Sequence, residues 1–216
     1  MISLSLMLLS IVAVFYYAPV ERTMGIVQKI FYFHVASAWT GFLAFGMVFV
    51  CSILFLWKKK VSFDFWAYSS AEIGVVFTSL VLITGPLWAK PVWNTYWTWD
   101  PRLTTTLILW LVYLGYLLLR KMIASPEKAA RIAAVYGIIG FIDVPIVYLS
   151  IRLWRTMHPG YVMIMAGQNS GLHPLMFQVL MLSVLAFTCL FITLLILRVS
   201  IEKLTNEIEQ IKQNLS

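Results

Sequence analysis

The chain has 216 residues, of which 61% are hydrophobic and 12% are charged, and its mean hydropathy is +0.87. Soluble globular domains are about 45–50% apolar and about 25% charged, so the composition excludes a soluble enzyme, a disordered chain and a disulfide scaffold. The formal net charge of +7 does not indicate nucleic acid, because the Lys and Arg residues lie in short stretches between apolar segments, which is how membrane topology is encoded. The sequence predicts an integral membrane protein.

Six apolar runs follow one another, most of them close to the ~20 residues that a helix needs to cross a bilayer. Lipid offers the backbone no hydrogen-bonding partner, so each run is expected to be helical. The first run has no basic residues ahead of it, which favours a retained helix over a cleaved signal peptide. The predicted fold is an all-α polytopic membrane protein, a bundle of six transmembrane helices within residues 1–198. The runs are residues 1–20, 30–57, 67–88, 103–119, 132–151 and 175–197.

The distribution of Lys and Arg predicts the orientation of these helices. With six crossings both termini share one face, which holds ten Lys and Arg residues against six on the opposite face. The positive-inside rule therefore predicts that both termini are cytoplasmic. The connections near residues 19–30, 89–102 and 152–174 are then expected at the outer face.

The tail, residues 199–216, is predicted to be a cytoplasmic amphipathic helix. Its apolar residues recur at spacings of three and four, as in a heptad pattern. Two heptads are too few for an independent coiled coil, so docking on a partner and a simply solvated helix both stay open. The stripe consists of Ile201, Leu204, Ile208, Ile211 and Leu215.

The connection near 89–102 is rich in aromatic residues, with four Trp and one Tyr between residues 88 and 99. Membrane proteins also place Trp and Tyr in interfacial belts, but a belt is spread over all helix ends, whereas these rings are concentrated in one connection. Large rigid rings offer a flat apolar platform for a planar ligand. Two roles stay open for the charges nearby: Asp100 and Arg102 pair to orient the platform, or Arg102 and Lys90 meet an anionic group on the ligand.

The chain has three histidines, and the predicted topology puts all of them on the same side of the membrane as the aromatic connection. His34 lies near the outer end of the second run, His158 lies in the third outer connection, and His173 directly precedes the sixth run. Taken alone, each could be an interfacial hydrogen-bonding residue. Two neutral imidazoles flanking an aromatic platform are, however, what a haem iron needs at its axial positions, so the combination favours a haem site.

Polar groups inside the apolar runs are few. Asp143 lies well inside the fifth run, and Pro145 frees a backbone carbonyl nearby. Intramembrane carboxylates are costly and often functional. Without a second buried carboxylate to support a proton pathway, a hydrogen bond from Asp143 to a neighbouring helix is favoured. Cys51 and Cys189 lie alone in apolar runs, which indicates neither a redox dithiol nor a zinc site.

Residues 93–100, WNTYWTWD, resemble the tryptophan-rich WWD signature, W-G-x-W-W-x-W-D, of haem-handling membrane proteins of cytochrome c biogenesis. Together with residues 85–91 (GPLWAKP), residues 100–104 (DPRLT) and the six-helix pattern, nearly the whole chain resembles the cytochrome c maturation protein C family, also called haem exporter protein C or CcmC. Asn94 stands where the motif usually has Gly, and Tyr96 where it usually has Trp. Asn tolerates a left-handed backbone better than most residues, and Tyr keeps a ring.

The resemblance implies a non-enzymatic protein that binds haem b and delivers it at the periplasmic side of the bacterial inner membrane. It implies that His34 and His158 are the axial iron ligands, whereas His173 has no counterpart in the family pattern. The implied partners are the haem chaperone CcmE, the ABC-type subunits CcmA and CcmB, and the small subunit CcmD; ATP hydrolysis would belong to the ATPase subunit, since no phosphate-loop motif occurs here. The expected haem-binding residues are His34, His158, Trp88, Trp93, Tyr96, Trp97, Trp99, Asp100 and Arg102.

Two other functions stay open as alternatives, a b-type cytochrome membrane anchor and a small-molecule permease. A cytochrome anchor normally projects its ligands from within helices, and only His34 lies on a predicted helix. A permease would use Asp143 and the Pro145 break as a midplane site, which leaves the aromatic connection without a role. The larger haem-channel proteins of the other cytochrome c assembly route share the Trp motif but have additional helices.

Overall fold

The computed structural model describes residues 1–22, 24–158 and 172–215. Within these residues, five helical stretches are long and apolar enough to cross a membrane, with α5 and α6 counted as one stretch. This confirms the prediction of an all-α polytopic membrane protein. The elements are α1 (Ile2–Val12), a π-helical turn (Ala13–Tyr17), a 3-10 turn (Ile26–Lys29), α2 (Ile30–Lys58), α3 (Val61–Trp93), α4 (Pro101–Met122), α5 (Pro126–Gly140), α6 (Asp143–Leu153) and α7 (Pro174–Leu215).

The first helical stretch, Ile2–Tyr17, is apolar but shorter than the other five. It packs against α7, where the hydroxyls of Ser10 and Ser183 share a buried hydrogen bond of 2.9 Å. At its far end the ammonium group of Lys29 donates to the carbonyl of Phe15 at 2.7 Å. A cation at the carbonyl-rich end of a helix is stabilising, so Lys29 fastens the end of this stretch to the beginning of α2.

Helix α2 lies at the centre of the bundle and packs on α3, α5 and α7. Membrane helices associate mainly through close packing, which small residues allow. A Cβ atom at Gly74 of α3 would lie 2.5 Å from the ring of Phe45, so the absence of a side chain there makes room for the ring. Phe45 in turn stacks on Tyr113 of α4 with ring centroids 3.7 Å apart. These contacts fix α2, α3 and α4 against one another.

The fifth apolar run is broken into α5 and α6. Pro145 has no backbone N–H for the carbonyl of Phe141, four residues earlier, and α5 ends at Gly140, just before that residue. Asp143 begins α6, and its buried Oδ2 has no hydrogen-bond partner among the residues that the structure describes. The predicted hydrogen bond to a neighbouring helix is therefore not present at this oxygen.

Helix α3 is longer than the third apolar run, and the prediction of a connection over 89–102 was wrong in its first part. The helix continues to Trp93 with Pro86 and Pro91 inside it. A proline leaves a backbone carbonyl of the preceding turn without its hydrogen bond, and in a membrane protein neighbouring groups can donate to that carbonyl instead. It ends where Asn94 adopts a left-handed conformation with φ of 57°, as expected for this residue. The ammonium of Lys90 donates to the Asn94 carbonyl at 3.0 Å and so satisfies the helix end.

Helix α7 continues without a break from the last apolar run into the predicted tail and ends at Leu215. The side chains of the apolar stripe at 201, 204, 208, 211 and 215 are each more than half exposed. The assignment of residues 199–216 as a separate cytoplasmic tail stays a prediction.

A buried ion pair joins α3 and α4 at the end opposite the aromatic connection. The guanidinium of Arg120 donates to both carboxylate oxygens of Asp64, at 2.5 and 2.7 Å, and the two side chains are 14% and 7% exposed. Removing one partner of such a pair leaves an uncompensated buried charge. We expect Asp64→Ala to lower the free energy of unfolding by about 3 kcal/mol, measured by denaturant unfolding in detergent micelles.

The control is a variant that removes both charges of the pair, Asp64→Leu with Arg120→Met. Replacing a buried ion pair by apolar side chains of similar size is often close to neutral, so this variant should recover most of the stability. An Asp64→Ala protein as stable as the parent would show that the pair is compensated by water or lipid headgroups.

Candidate functional site

An apolar cavity of about 330 Å³ opens at one end of the bundle between α2, α3, α4 and α6. Its wall combines His34 from the first turns of α2, Trp88 from the last turns of α3, Arg102 from the first turn of α4 and Tyr148 from α6. Consecutive membrane-spanning stretches run in opposite directions, so the end of one lies at the same side of the membrane as the beginning of the next. The volume lies at the lower end of the ~300–1,000 Å³ typical of small-molecule sites.

The imidazole of His34 is held from one side by α3. It is 8% exposed, and its Nδ1 lies 2.9 Å from the hydroxyl oxygen of Thr84. The indole of Trp88 lies one turn beyond Thr84 in α3, and its ring centroid is 6.0 Å from that of His34. A Cβ atom at Gly85 would approach the His34 Cε1 to 3.3 Å. The lack of a side chain at Gly85 therefore leaves room for the imidazole ring.

The carboxylate of Asp100 joins the aromatic connection to the segment that carries His158. Asp100 is 7% exposed and caps α4 by accepting the backbone N–H of Arg102 at 2.9 Å. It also accepts the hydroxyl of Thr156 at 2.7 Å and the N–H of Met157 at 2.8 Å. The Thr156 hydroxyl oxygen accepts the N–H of His158 at 3.0 Å. One side chain thus fixes residues 156–158 to the N-terminus of α4.

His158 lines the same cavity as His34. Arg102 lines it too, although the three residues come from well-separated parts of the sequence. The guanidinium of Arg102 donates to the carbonyls of Val147 and Tyr148, the latter at 3.1 Å. Arg102 therefore anchors α4 to α6 and brings a positive charge to the cavity wall.

Six of the nine predicted haem-binding residues meet around this cavity, and three lie outside its wall. Asp100 supports the site from behind, through the hydrogen bonds described above. Tyr96 and Trp99 are 58% and 76% exposed, and the ring of Trp99 meets that of Trp97 edge-on with centroids 5.8 Å apart. The residues at the wall are His34, Trp88, Trp93, Trp97, Arg102 and His158.

Sequence reasoning missed the part of α2 that extends the cavity beyond His34, and it missed the Thr84–Gly85 pair. Phe31, Val35, Ala38 and Phe42 line the cavity at successive spacings of four, three and four, so they share one helix face. The spacing is visible in the sequence. Inside a run that is apolar on all sides, however, it does not distinguish a cavity-facing stripe from a lipid-facing one.

The fold and the site define a multi-pass membrane protein with a cavity at one end of its helix bundle, lined by tryptophans and two histidines. The sequence profile of the family described as Heme exporter protein C matches residues 1–214. The chain belongs to this family, which confirms the resemblance seen in the sequence.

Individual relatives support the same assignment. Heme exporter protein C of Bradyrhizobium diazoefficiens is 41% identical over 179 residues, which cover 82% of this chain and 67% of that protein. Heme exporter protein C of Rhodobacter capsulatus is 32% identical over 200 residues, 92% of this chain and 82% of the relative. The Escherichia coli protein of the same name is 32% identical over 185 residues, 85% of this chain and 74% of the relative.

Proposed function

We propose that the protein binds haem b in this cavity and delivers it for cytochrome c biogenesis. The observation that carries the proposal is that two histidines from distant parts of the chain, His34 and His158, line one apolar cavity walled by tryptophans. The names of the relatives, heme exporters, indicate that haem is the cargo.

The side chains present fit haem better than a bare metal ion. In the described part of the chain, no group of three or more His, Cys, Asp or Glu side chains could hold a metal ion, whereas a protein site for a bare ion usually uses at least three. Two imidazoles suffice where a porphyrin already supplies four equatorial nitrogens to its iron. His34 and His158 supply the axial nitrogens, and Arg102 offers a positive charge to a propionate.

The surroundings of the cavity suit a protein that hands its cargo on. Trp88, Trp93 and Trp97 offer flat apolar walls, while Tyr96 and Trp99 form an exposed aromatic rim beside them. A deeply buried haem could not be transferred, so a cavity at the bundle end with an exposed rim supports transfer over permanent retention. His158 lies outside the helices, unlike the ligands of a typical b-type cytochrome anchor.

The proposal includes the location and the partners. The excess of Lys and Arg on the face that carries the termini supports cytoplasmic termini in a bacterial inner membrane, with the cavity on the periplasmic side. The haem chaperone CcmE receives the haem there. CcmA and CcmB, as ABC-type subunits, and the small CcmD complete the complex.

A haem titration of the purified protein in detergent tests the proposal. Two imidazole ligands should produce the absorption spectrum of six-coordinate, low-spin iron at a stoichiometry of one haem per chain. Addition of the apo form of the chaperone domain should then move haem from this chain to the chaperone. A spectrum identical to that of free haem in the same detergent would refute the proposal.

Gly85 provides a prediction in which haem affinity and stability change independently. We expect Gly85→Ala to weaken haem binding about tenfold, because the added methyl group pushes on the His34 ring. Disturbing the surroundings that orient a ligand typically has an effect of this size. Helix propensity favours Ala over Gly by up to about 1 kcal/mol, so thermal stability should not fall. Haem titration and thermal unfolding of the same variant measure the two effects.

The matched control is Gly46→Ala in α2. A Cβ atom there meets only the ring of Phe141 at 3.9 Å, an ordinary contact, so haem affinity should stay at the parent value. Equal haem affinity in the two alanine variants would show that the His34 ring does not need the space at Gly85.

A further inference from the structure

The hydroxyl of Thr84 has three polar neighbours and only one proton to donate. It lies 2.7 Å from the carbonyl oxygen of Leu80, one turn earlier in α3, and 3.5 Å from the more distant carbonyl of Val81. A carbonyl oxygen only accepts, and the Leu80 contact is shorter than the contact of the same hydroxyl with His34, which favours donation to Leu80. The oxygen of Thr84 is also 2.9 Å from Nδ1 of His34. With its proton directed at Leu80, the hydroxyl is an acceptor at this contact.

This arrangement favours one of the two neutral tautomers of His34. Since Thr84 accepts, Nδ1 of the neutral imidazole must donate, and Nε2 is left with its lone pair. Among the residues that the structure describes, no hydrogen bond engages Nε2, and the ring lines the cavity. We infer that Thr84 is a positioning residue, which keeps His34 in the Nδ1–H tautomer and presents Nε2 as the iron-binding nitrogen.

The inference rests on the proposed haem site and assigns to Thr84 an effect on the iron as well as on the ring. A hydrogen bond from Nδ1–H to an acceptor orients a ligating imidazole and makes its other nitrogen a stronger donor. Stronger donation favours ferric over ferrous iron and so lowers the reduction potential. Loss of the Thr84 hydroxyl should therefore weaken haem binding and raise the midpoint potential of the bound haem.

Three variants in α3 separate this role from a purely structural one. Thr84→Val keeps the shape of the side chain but removes the acceptor, and Thr84→Ser keeps the acceptor. Thr78→Val is the matched control, because the Thr78 hydroxyl donates to the Gly74 carbonyl at 2.7 Å in the same way as Thr84 donates to Leu80, without a histidine beside it.

The first measurement is ¹⁵N NMR of the haem-free protein labelled at histidine, with His158→Ala and His173→Ala introduced so that only His34 is observed. The parent and Thr84→Ser should show a protonated Nδ1 and a bare Nε2. Thr84→Val should move the proton toward Nε2, because Nδ1–H then lacks its partner. An unchanged nitrogen pattern in Thr84→Val would overturn the inference without reference to haem.

The second measurement is haem titration and redox potentiometry of the otherwise unaltered protein. Thr84→Val should bind haem about tenfold more weakly and at a more positive midpoint potential, while Thr84→Ser and Thr78→Val should stay close to the parent. Equal potentials for Thr84→Val and Thr78→Val would also overturn the inference. His34→Ala separates a failure of the Thr84 inference from a failure of the proposed haem site. Full haem affinity in His34→Ala would refute His34 as a ligand, and with it the proposed site, whatever the nitrogen pattern shows.

Discussion

Alanine in place of either His34 or His158 should lower the affinity for haem by more than about 100-fold, beyond the 10–100-fold that loss of a supporting outer-shell contact typically costs. Each substitution removes one of the two imidazoles proposed as axial ligands, and His34 and His158 are the histidines that line the described part of the cavity. The remaining histidine should leave a five-coordinate, high-spin iron in haem that still binds. Spectroscopic titration measures both the affinity and the spin state.

His173→Ala is the matched control for this prediction. His173 is exposed and outside the cavity wall, and its Nδ1 accepts the N–H of Leu175 at 3.3 Å, so the substitution should leave the haem spectrum unchanged. Added imidazole should restore the low-spin spectrum of His34→Gly, because the truncated side chain leaves space for it beside the cavity. Haem affinity that falls equally in all three alanine variants would indicate a general loss of folding instead of the loss of a ligand.

The existence of the helices could be predicted because hydrocarbon leaves the backbone no other means of hydrogen bonding. Their ends could not, because backbone hydrogen bonds continue into polar sequence once a helix has left the apolar layer. Helix α3 thus extends to Trp93 through Pro91, and α7 extends to Leu215. The break at Phe141 was the exception, since Pro145 provides a local reason for it that is visible in the sequence.

The site was predictable in its residue types but not in its support. Rare residues with special chemistry, such as His34, His158 and Trp97, are conspicuous in an apolar chain, and the order of the helices brings them to one end. Thr84 is different, because a threonine in a membrane helix usually only bonds to a carbonyl of the preceding turn. Its second contact, with His34, depends on the rotation of α3 against α2, which no local pattern in the sequence encodes.

Asp100→Ala should have the second largest effect, and it should act through His158. The carboxylate caps α4 and accepts hydrogen bonds from Thr156 and Met157. A lost cap costs about 1 kcal/mol and each lost charge-assisted hydrogen bond about 1.5 kcal/mol, so the free energy of unfolding should fall by about 4 kcal/mol. Release of residues 156–158 from α4 should also reduce haem affinity toward that of His158→Ala.

A double-mutant cycle tests whether Asp100 works by holding His158. Residues that act as one unit are not additive, so Asp100→Ala should cause no further loss of haem affinity in a His158→Ala background, but a full further loss in a His34→Ala background. Ser125→Ala is the control for capping alone, because Ser125 caps α5 through the N–H of Lys128 and has no part in the cavity. It should lower stability slightly and leave haem binding intact. Additive losses of haem affinity for Asp100→Ala and His158→Ala would contradict this prediction. They would show that the carboxylate affects haem binding independently of His158 and does not act by holding the segment 156–158.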